Sequence, residues 1–64
     1  VSELAARAAI PETLSVSDVQ LCYAPTEGRS AVLCYGFNCT GNGGERVFVL
    51  VDAQTGRQFD IEIL

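Results

Sequence analysis

The three cysteines, Cys22, Cys34 and Cys39, carry the most reactive side chains of this 64-residue chain. A nucleophilic cysteine needs a nearby base that lowers its pKa, and the sequence contains no His. Structural zinc takes four ligands at C-x-x-C or similar spacings, whereas these cysteines are 12 and 5 positions apart. We therefore expect apolar strand residues and no metal site, with a Cys22–Cys34 disulfide as the alternative. An odd number of cysteines leaves at least one thiol outside any internal pair.

Two carboxylates, Asp60 and Glu62, stand two positions apart and so resemble the paired acids of a glycosidase or protease. They alternate with Phe59, Ile61 and Ile63, and this alternation is typical of a strand with one solvated face. We therefore interpret both acids as solvated strand residues and expect no catalytic residue here.

Two short motifs also resemble functional sites. Asn38-Cys39-Thr40 fits the acceptor pattern for N-glycosylation, which is a common triplet. The glycine-rich run 41–44 lacks the Lys-Ser/Thr pair and the following helix of a phosphate-binding loop. We interpret this run as a hairpin loop and expect no cofactor.

Composition excludes several classes of function. Eight acidic residues against four Arg give a formal net charge of -4, so the clustered cations that bind nucleic acid are missing. No apolar run approaches the ~20 residues that span a bilayer. The hydrophobic share of 48% indicates a packed domain. Ordering such a chain costs on the order of 100 kcal/mol, which a small core barely offsets. We therefore expect residues 1–64 to form a single domain that is part of a longer chain or one partner of an oligomer.

The first ten residues favour a short helix. Ser2 suits the N-cap, Glu3 suits the first turn, and Pro11 disfavours helical geometry at Ile10. Residues 2–10 are the predicted helix, and Leu4 and Ala8 are its predicted buried stripe.

From residue 16 the hydrophobic period changes to two, which predicts strands over 16–24, 31–39, 46–52 and 58–64. Turn-forming residues fill the short intervals at 25–29, 41–44 and 53–56. Short linkers favour antiparallel neighbours. The expected fold class is α+β, with a short N-terminal helix packed on a four-stranded antiparallel meander sheet.

A register can be proposed from the alternation. The predicted pairs are Tyr23–Leu33, Leu21–Tyr35, Phe37–Val47, Tyr35–Val49, Val51–Phe59 and Val49–Ile61. One face, expected beneath the helix, then collects Leu21, Tyr23, Leu33, Tyr35, Phe37, Val47, Val49, Val51, Phe59, Ile61 and Ile63. The other face, expected to be mostly solvated, collects Cys22, Cys34, Gly36, Asn38, Phe48, Leu50, Asp52, Gln58, Asp60 and Glu62.

This register has two consequences on the second face. Cys22 falls opposite Cys34, where a disulfide is conceivable. Phe48 falls opposite Gly36, so its ring can cover the missing side chain. Alternatively, Phe48 and Leu50 mark a contact with a second chain or with another part of the same longer chain.

The segment 47–57, which contains Val51-Asp52-Ala53-Gln54-Thr55-Gly56, resembles the closing hairpin of PepSY domains. In that turn Asp52 can accept backbone N–H bonds and Gly56 supplies the position with φ > 0. Tyr23-Ala24-Pro25 followed by residues 33–37 is also similar, more loosely, to the preceding hairpin of PepSY-like envelope proteins.

The resemblance implies a non-catalytic binding or regulatory module of a secreted or membrane-anchored bacterial protein. A role in restraining peptidases has been proposed for such domains, so the implied partner is a protein, with a peptidase as one candidate. The alternative is a structural domain of a multidomain envelope protein or a homodimer. The family has no shared catalytic residues, and this chain lacks most of the helical half of a full unit.

Overall fold

A computed structural model describes residues 1–26 and 28–64, apart from the side chains at 26 and 29. The elements in chain order are α1 (Glu3–Arg7), β1 (Ser15–Thr26), β2 (Arg29–Thr40), β3 (Arg46–Asp52) and β4 (Gln58–Ile63). The strands form one antiparallel sheet in the order β1-β2-β3-β4. The predicted four-stranded meander with one short helix is therefore confirmed. Glu27, in the predicted first turn, lies outside the described residues.

The helix is shorter than predicted. Ser2 caps it as expected, because its Oγ accepts the backbone N–H of Ala5 at 3.1 Å. Beyond Arg7 the backbone bonds tighten to i→i+3, with Ile10 N–H donating to the Arg7 carbonyl at 3.0 Å. Pro11 disfavours helical geometry at Ile10, and the tighter turns before it limit α1 to five residues.

The predicted helical stripe is wrong. Leu4 is 81% exposed and Ala8 is also exposed, whereas Ala6 is fully buried. Ala6 belongs to one apolar cluster with Phe37 and Val49. Because so short a helix directs few side chains to any one side, the further contacts of this cluster come from Ala9, Ile10 and Leu14. That the helix as a whole packs on the sheet stays a prediction.

The β1–β2 register agrees with the expectation. Tyr23 lies opposite Leu33, and Leu21 lies opposite Tyr35. A bulge between Val16 and Asp18 shifts the start of β1. It brings Val16 opposite Cys39, so the two join the same apolar surface.

The predicted β2–β3 pairs are wrong by two positions. Phe37 lies opposite Val49 and Tyr35 opposite Val51, where Val47 and Val49 were expected. The loop explains the shift. Gly41 N–H donates to the Glu45 carbonyl at 2.8 Å, and Gly44 has φ +84°. These features form a three-residue bulged turn, which closes the hairpin one residue further along each strand than predicted. A shift by two preserves which side chains share a face.

The β3–β4 register is partly as predicted. Val49 lies opposite Ile61, but Val51 lies opposite Gln58 where Phe59 was expected. A bulge between the Leu50 and Val51 pairs leaves Phe59 as the extra residue of β4.

Burial is divided between the two faces of the sheet, contrary to the expectation of one dry and one wet face. On the first face Phe37, Val47, Val49 and Val51 are buried and Tyr35 is half-buried. The outer members of the same face remain exposed: Leu21, Tyr23, Leu33, Phe59, Ile61 and Ile63. On the second face Ala24, Cys34 and Gly36 are buried, since these small residues lie between larger neighbours.

Candidate protein-contact surface

The cysteines lie where the register places them. Cys22 is directly opposite Cys34, and all three thiols are free in the structure. The Cys34 thiol donates to the Val32 carbonyl at 3.5 Å, and the Cys39 thiol donates to the Phe37 carbonyl at 3.6 Å. The Cys22–Cys34 disulfide stays a prediction.

Burial governs the chemistry of two of these thiols. It raises the pKa of Cys34, and the nearby Cys22 and Asp52 raise that pKa further. Burial also raises the pKa of Cys39, with Arg7 acting in the opposite direction. Both groups are therefore protonated at neutral pH, which makes them packing residues in this conformation.

Asp52 organises the turn between β3 and β4. Its Oδ1 accepts the backbone N–H groups of Gln54 at 2.7 Å and Thr55 at 3.2 Å. Gly56 donates its N–H to the Asp52 carbonyl at 2.8 Å and has φ +76°. This is the turn chemistry that the sequence indicates, and it occupies the Asp52 carboxylate with backbone partners.

The first residue contacts this turn, which the sequence did not indicate. The amino group of Val1 donates to the Ala53 carbonyl, and the Tyr35 hydroxyl donates to the Val1 carbonyl at 2.9 Å. The side chain of Val1 lies 3.5 Å from where a Cβ on Gly56 would be. A terminal valine carries no motif, so no sequence signal could have placed it.

The predicted position of Phe48 directly opposite Gly36 is wrong, because of the two-position shift between β2 and β3. Leu50 lies directly opposite Gly36, and Phe48 lies opposite Asn38. The Phe48 ring still covers the glycine diagonally, since its Cζ is 2.7 Å from where a Cβ on Gly36 would be. Both side chains are half-buried, and their role as a protein contact stays a prediction.

A more exposed apolar surface lies on the opposite face of the sheet. Leu21, Tyr23 and Leu33 are 61%, 71% and 40% exposed, and we call these three residues the β1–β2 patch. A concavity of about 460 Å³ borders it, lined by Tyr23, Ala31, Val32, Leu33, Ala53 and Gln54. The sequence contains no sign of this surface, because its alternation predicts that all three patch residues lie on the covered face.

A second exposed region is β4, every residue of which is accessible to solvent. Phe59, Ile61 and Ile63 are apolar, while Asp60 and Glu62 are acidic. The two carboxylates are solvated, as the sequence predicts. The apolar members of β4 were expected to be buried and are not, because the buried cluster ends at β3.

Within residues 1–26 and 28–64, no three Cys, Asp or Glu side chains come together in a group that could hold a metal ion. Nor does the described chain contain a helix with the length and apolar character needed to cross a membrane.

No family model, curated protein or solved structure matches this chain. The likeness of residues 47–57 to PepSY domains therefore stays a resemblance.

Proposed function

We propose that this chain is a non-catalytic, PepSY-like module that acts by binding another protein outside the cytoplasm. The observation that carries the proposal is the β1–β2 patch, whose large apolar side chains are exposed beside a concavity. Such a surface is unfavourable in water and becomes favourable once a partner covers it. The extracytoplasmic location and the restraint of a peptidase depend on the resemblance alone.

In this proposal the N-terminal segment acts as a partial second layer on the sheet. Ala6 and the residues that follow α1 join the central apolar cluster, and Val1 contacts the turn after β3. The helix then packs over the middle of the sheet and leaves the β1–β2 patch available to a partner.

The alternative is a structural domain that assembles with another copy or with other parts of an envelope protein. The exposure of β4 on both faces favours it, because edge strands in monomers are usually protected. Sedimentation of the isolated chain distinguishes the two: a tight dimer at micromolar concentration supports assembly, and a monomer supports recognition of a different partner.

The proposal can be tested with the immobilised chain and an envelope-protein fraction from its source cells. Tyr23→Glu places a charge in the patch, and Phe48→Glu does the same on the opposite face. Gln20→Glu is the matched control, since Gln20 is exposed on β1 outside the patch. We expect a specific protein to be retained by the wild-type chain and the control and lost with Tyr23→Glu.

The retained protein is then purified and titrated against each variant. A fall in affinity of about tenfold or more for Tyr23→Glu, with circular dichroism unchanged, assigns the contact to the patch. If only Phe48→Glu loses binding, the contact is assigned to the opposite face of the sheet. If the same proteins are retained by all four chains, or none is retained, protein binding through these surfaces is wrong.

A further inference from the structure

The outer edge of β4 has unpaired backbone groups in a defined pattern. Leu64 N–H donates to the Arg46 carbonyl at 2.8 Å, so even-numbered residues of this segment direct their backbone groups toward β3. Ile61 and Ile63 therefore direct theirs outward. The Ile61 N–H donates to the adjacent Asp60 carboxylate at 2.9 Å, which is a local substitute for a strand partner.

The side chains of β4 divide by chemistry as well as by face. Ile61 and Ile63 are 42% and 79% exposed on the apolar face. Asp60 and Glu62 are exposed on the other face. Among the described side chains, the ion pair that forms is Arg7–Glu3 at 3.6 Å, and no cation approaches either β4 carboxylate.

A second copy of the chain is a poor match for this edge. If two β4 strands paired antiparallel about Ile61, Asp60 of each copy would lie opposite Glu62 of the other. Pairing about Asp60 or about Glu62 would place that residue opposite itself. Like charges at directly opposed positions destabilise a pair of strands, so these registers select against self-association.

We propose that the free edge of β4 accepts an antiparallel strand of another protein in which Lys or Arg alternates with apolar residues. The cations would lie beside Asp60 and Glu62, and the apolar side chains would extend the surface formed by Ile61 and Ile63. A carbonyl of the incoming strand replaces Asp60 as acceptor of the Ile61 N–H, which releases the carboxylate to pair with a cation. This inference rests on the proposed function and specifies the chemistry of the partner.

The test uses two fluorescent peptides and the intact chain. One peptide has three Lys alternating with three Val, and the other has Glu in place of Lys, each between terminal glycines with blocked ends. By fluorescence anisotropy at low salt we expect the Lys peptide to bind at least tenfold more tightly than the Glu peptide. We expect Asp60→Lys/Glu62→Lys to reverse that preference.

Two controls separate strand addition from simple charge attraction. Glu12→Lys/Glu45→Lys changes the net charge equally at exposed sites outside β4, and it should keep the preference for the Lys peptide. Ile61→Pro removes an outward N–H without removing a β3–β4 bond, so it should abolish binding, while Ile61→Ala should retain it. Unchanged binding by Ile61→Pro, or equal loss in both charge-reversed chains, overturns strand addition.

The outcomes also distinguish this inference from the broader proposal. If a partner protein loses binding with Tyr23→Glu and keeps it with Asp60→Lys/Glu62→Lys, that result supports the proposed binding module and overturns the β4 site. A dimer that dissociates with Ile61→Pro identifies a second copy as the occupant and likewise overturns it.

Discussion

Small residues control how closely the second face of the sheet packs. Gly36 lies directly beneath the Phe48 ring, and Cys22 Sγ is 3.4 Å from where its Cβ would be. Neighbouring Cys34 is fully buried although it lies on the face that the sequence predicts to be solvated. A larger side chain at Gly36 must therefore displace an aromatic ring.

Gly36→Val should lower the free energy of unfolding by about 1–3 kcal/mol, because the added methyl groups overlap the ring. Gly36→Val with Phe48→Ala should recover part of that loss, since the obstructing ring is absent. Urea denaturation of the two single variants and the double variant gives the coupling energy. Strictly additive effects would contradict the contact.

Thiol labelling should follow burial. Cys22 is half-buried, whereas Cys34 and Cys39 are buried. Burial raises the pKa of Cys34 and of Cys39 above the ordinary value of 9.0, so the reactive thiolate is scarce at pH 8. We expect iodoacetamide to modify Cys22 first and the other two only after urea unfolds the chain, as measured by peptide mass spectrometry.

The same pKa shifts predict the sign of the alkaline pH dependence. As the pH rises past 9.0, the thiols of the unfolded chain ionise before the buried thiols of the folded chain do, so the folded state loses stability.

In the labelling experiment, rapid modification of Cys34 in the folded chain would show that the second face opens.

At the scale of elements, the sequence predicts which segments are strands better than it predicts how they align. Alternation and turn residues located all four strands, because both are local properties of the chain. The observed β2–β3 register differs from the predicted one by two positions, because it depends on the left-handed conformation of Gly44. Several glycine-rich loops provide such a conformation, so the sequence alone does not select one register. The exposure of the β1–β2 patch could not be predicted from the alternation, since alternation shows which side chains share a face and not whether another element covers that face.

Substitutions in α1 test the burial of its one inward residue. Ala6→Asp should destabilise the fold by several kcal/mol, because it buries an unpaired carboxylate in the central cluster. Leu4→Asp is the matched control and should change stability by less than about 0.5 kcal/mol, since Leu4 is exposed. Thermal unfolding followed by circular dichroism measures both, and equal effects would mean that the helix does not use Ala6 as a contact.

Two substitutions of Asp52, one of them isosteric, test which interaction stabilises the turn between β3 and β4. Asp52→Ala removes the acceptor for two backbone N–H groups and should cost about 1–2 kcal/mol. Asp52→Asn keeps a side-chain oxygen in the same position and should cost less. Chemical denaturation ranks the two variants, and an equal loss would show that the carboxylate charge, not the hydrogen bonds, stabilises the turn.

The whole molecule is thin for its mass. Its accessible surface is 4364 Å², compared with about 3,950 Å² expected for a compact monomer of this mass. Its principal extents are 36 × 23 × 15 Å. Domains usually bury a sheet between two layers, whereas here the buried apolar cluster is confined to the centre of the sheet. The excess surface is consistent with the exposed β1–β2 patch and β4.

A hydrophobic dye should report the exposed apolar side chains of the β1–β2 patch. We expect the folded wild-type chain to bind the dye ANS, and Leu21→Lys/Tyr23→Lys to reduce the fluorescence without lowering the unfolding midpoint. These two substitutions should not lower stability as a substitution in the core would, because the two side chains are 61% and 71% exposed. Undiminished fluorescence in the folded variant would assign the dye site to β4 or to partial unfolding.

The unbroken sequential order of the strands also affects how the chain can assemble during synthesis. Each new strand needs only its immediate predecessor, so the β1–β2 hairpin can form while later residues are still inside the ribosome. Because β4 is the last of these four strands to be synthesised, the outer border of β3 is briefly unprotected in the nascent polypeptide. A chaperone that binds extended segments would therefore be able to bind β3 before β4 pairs with it.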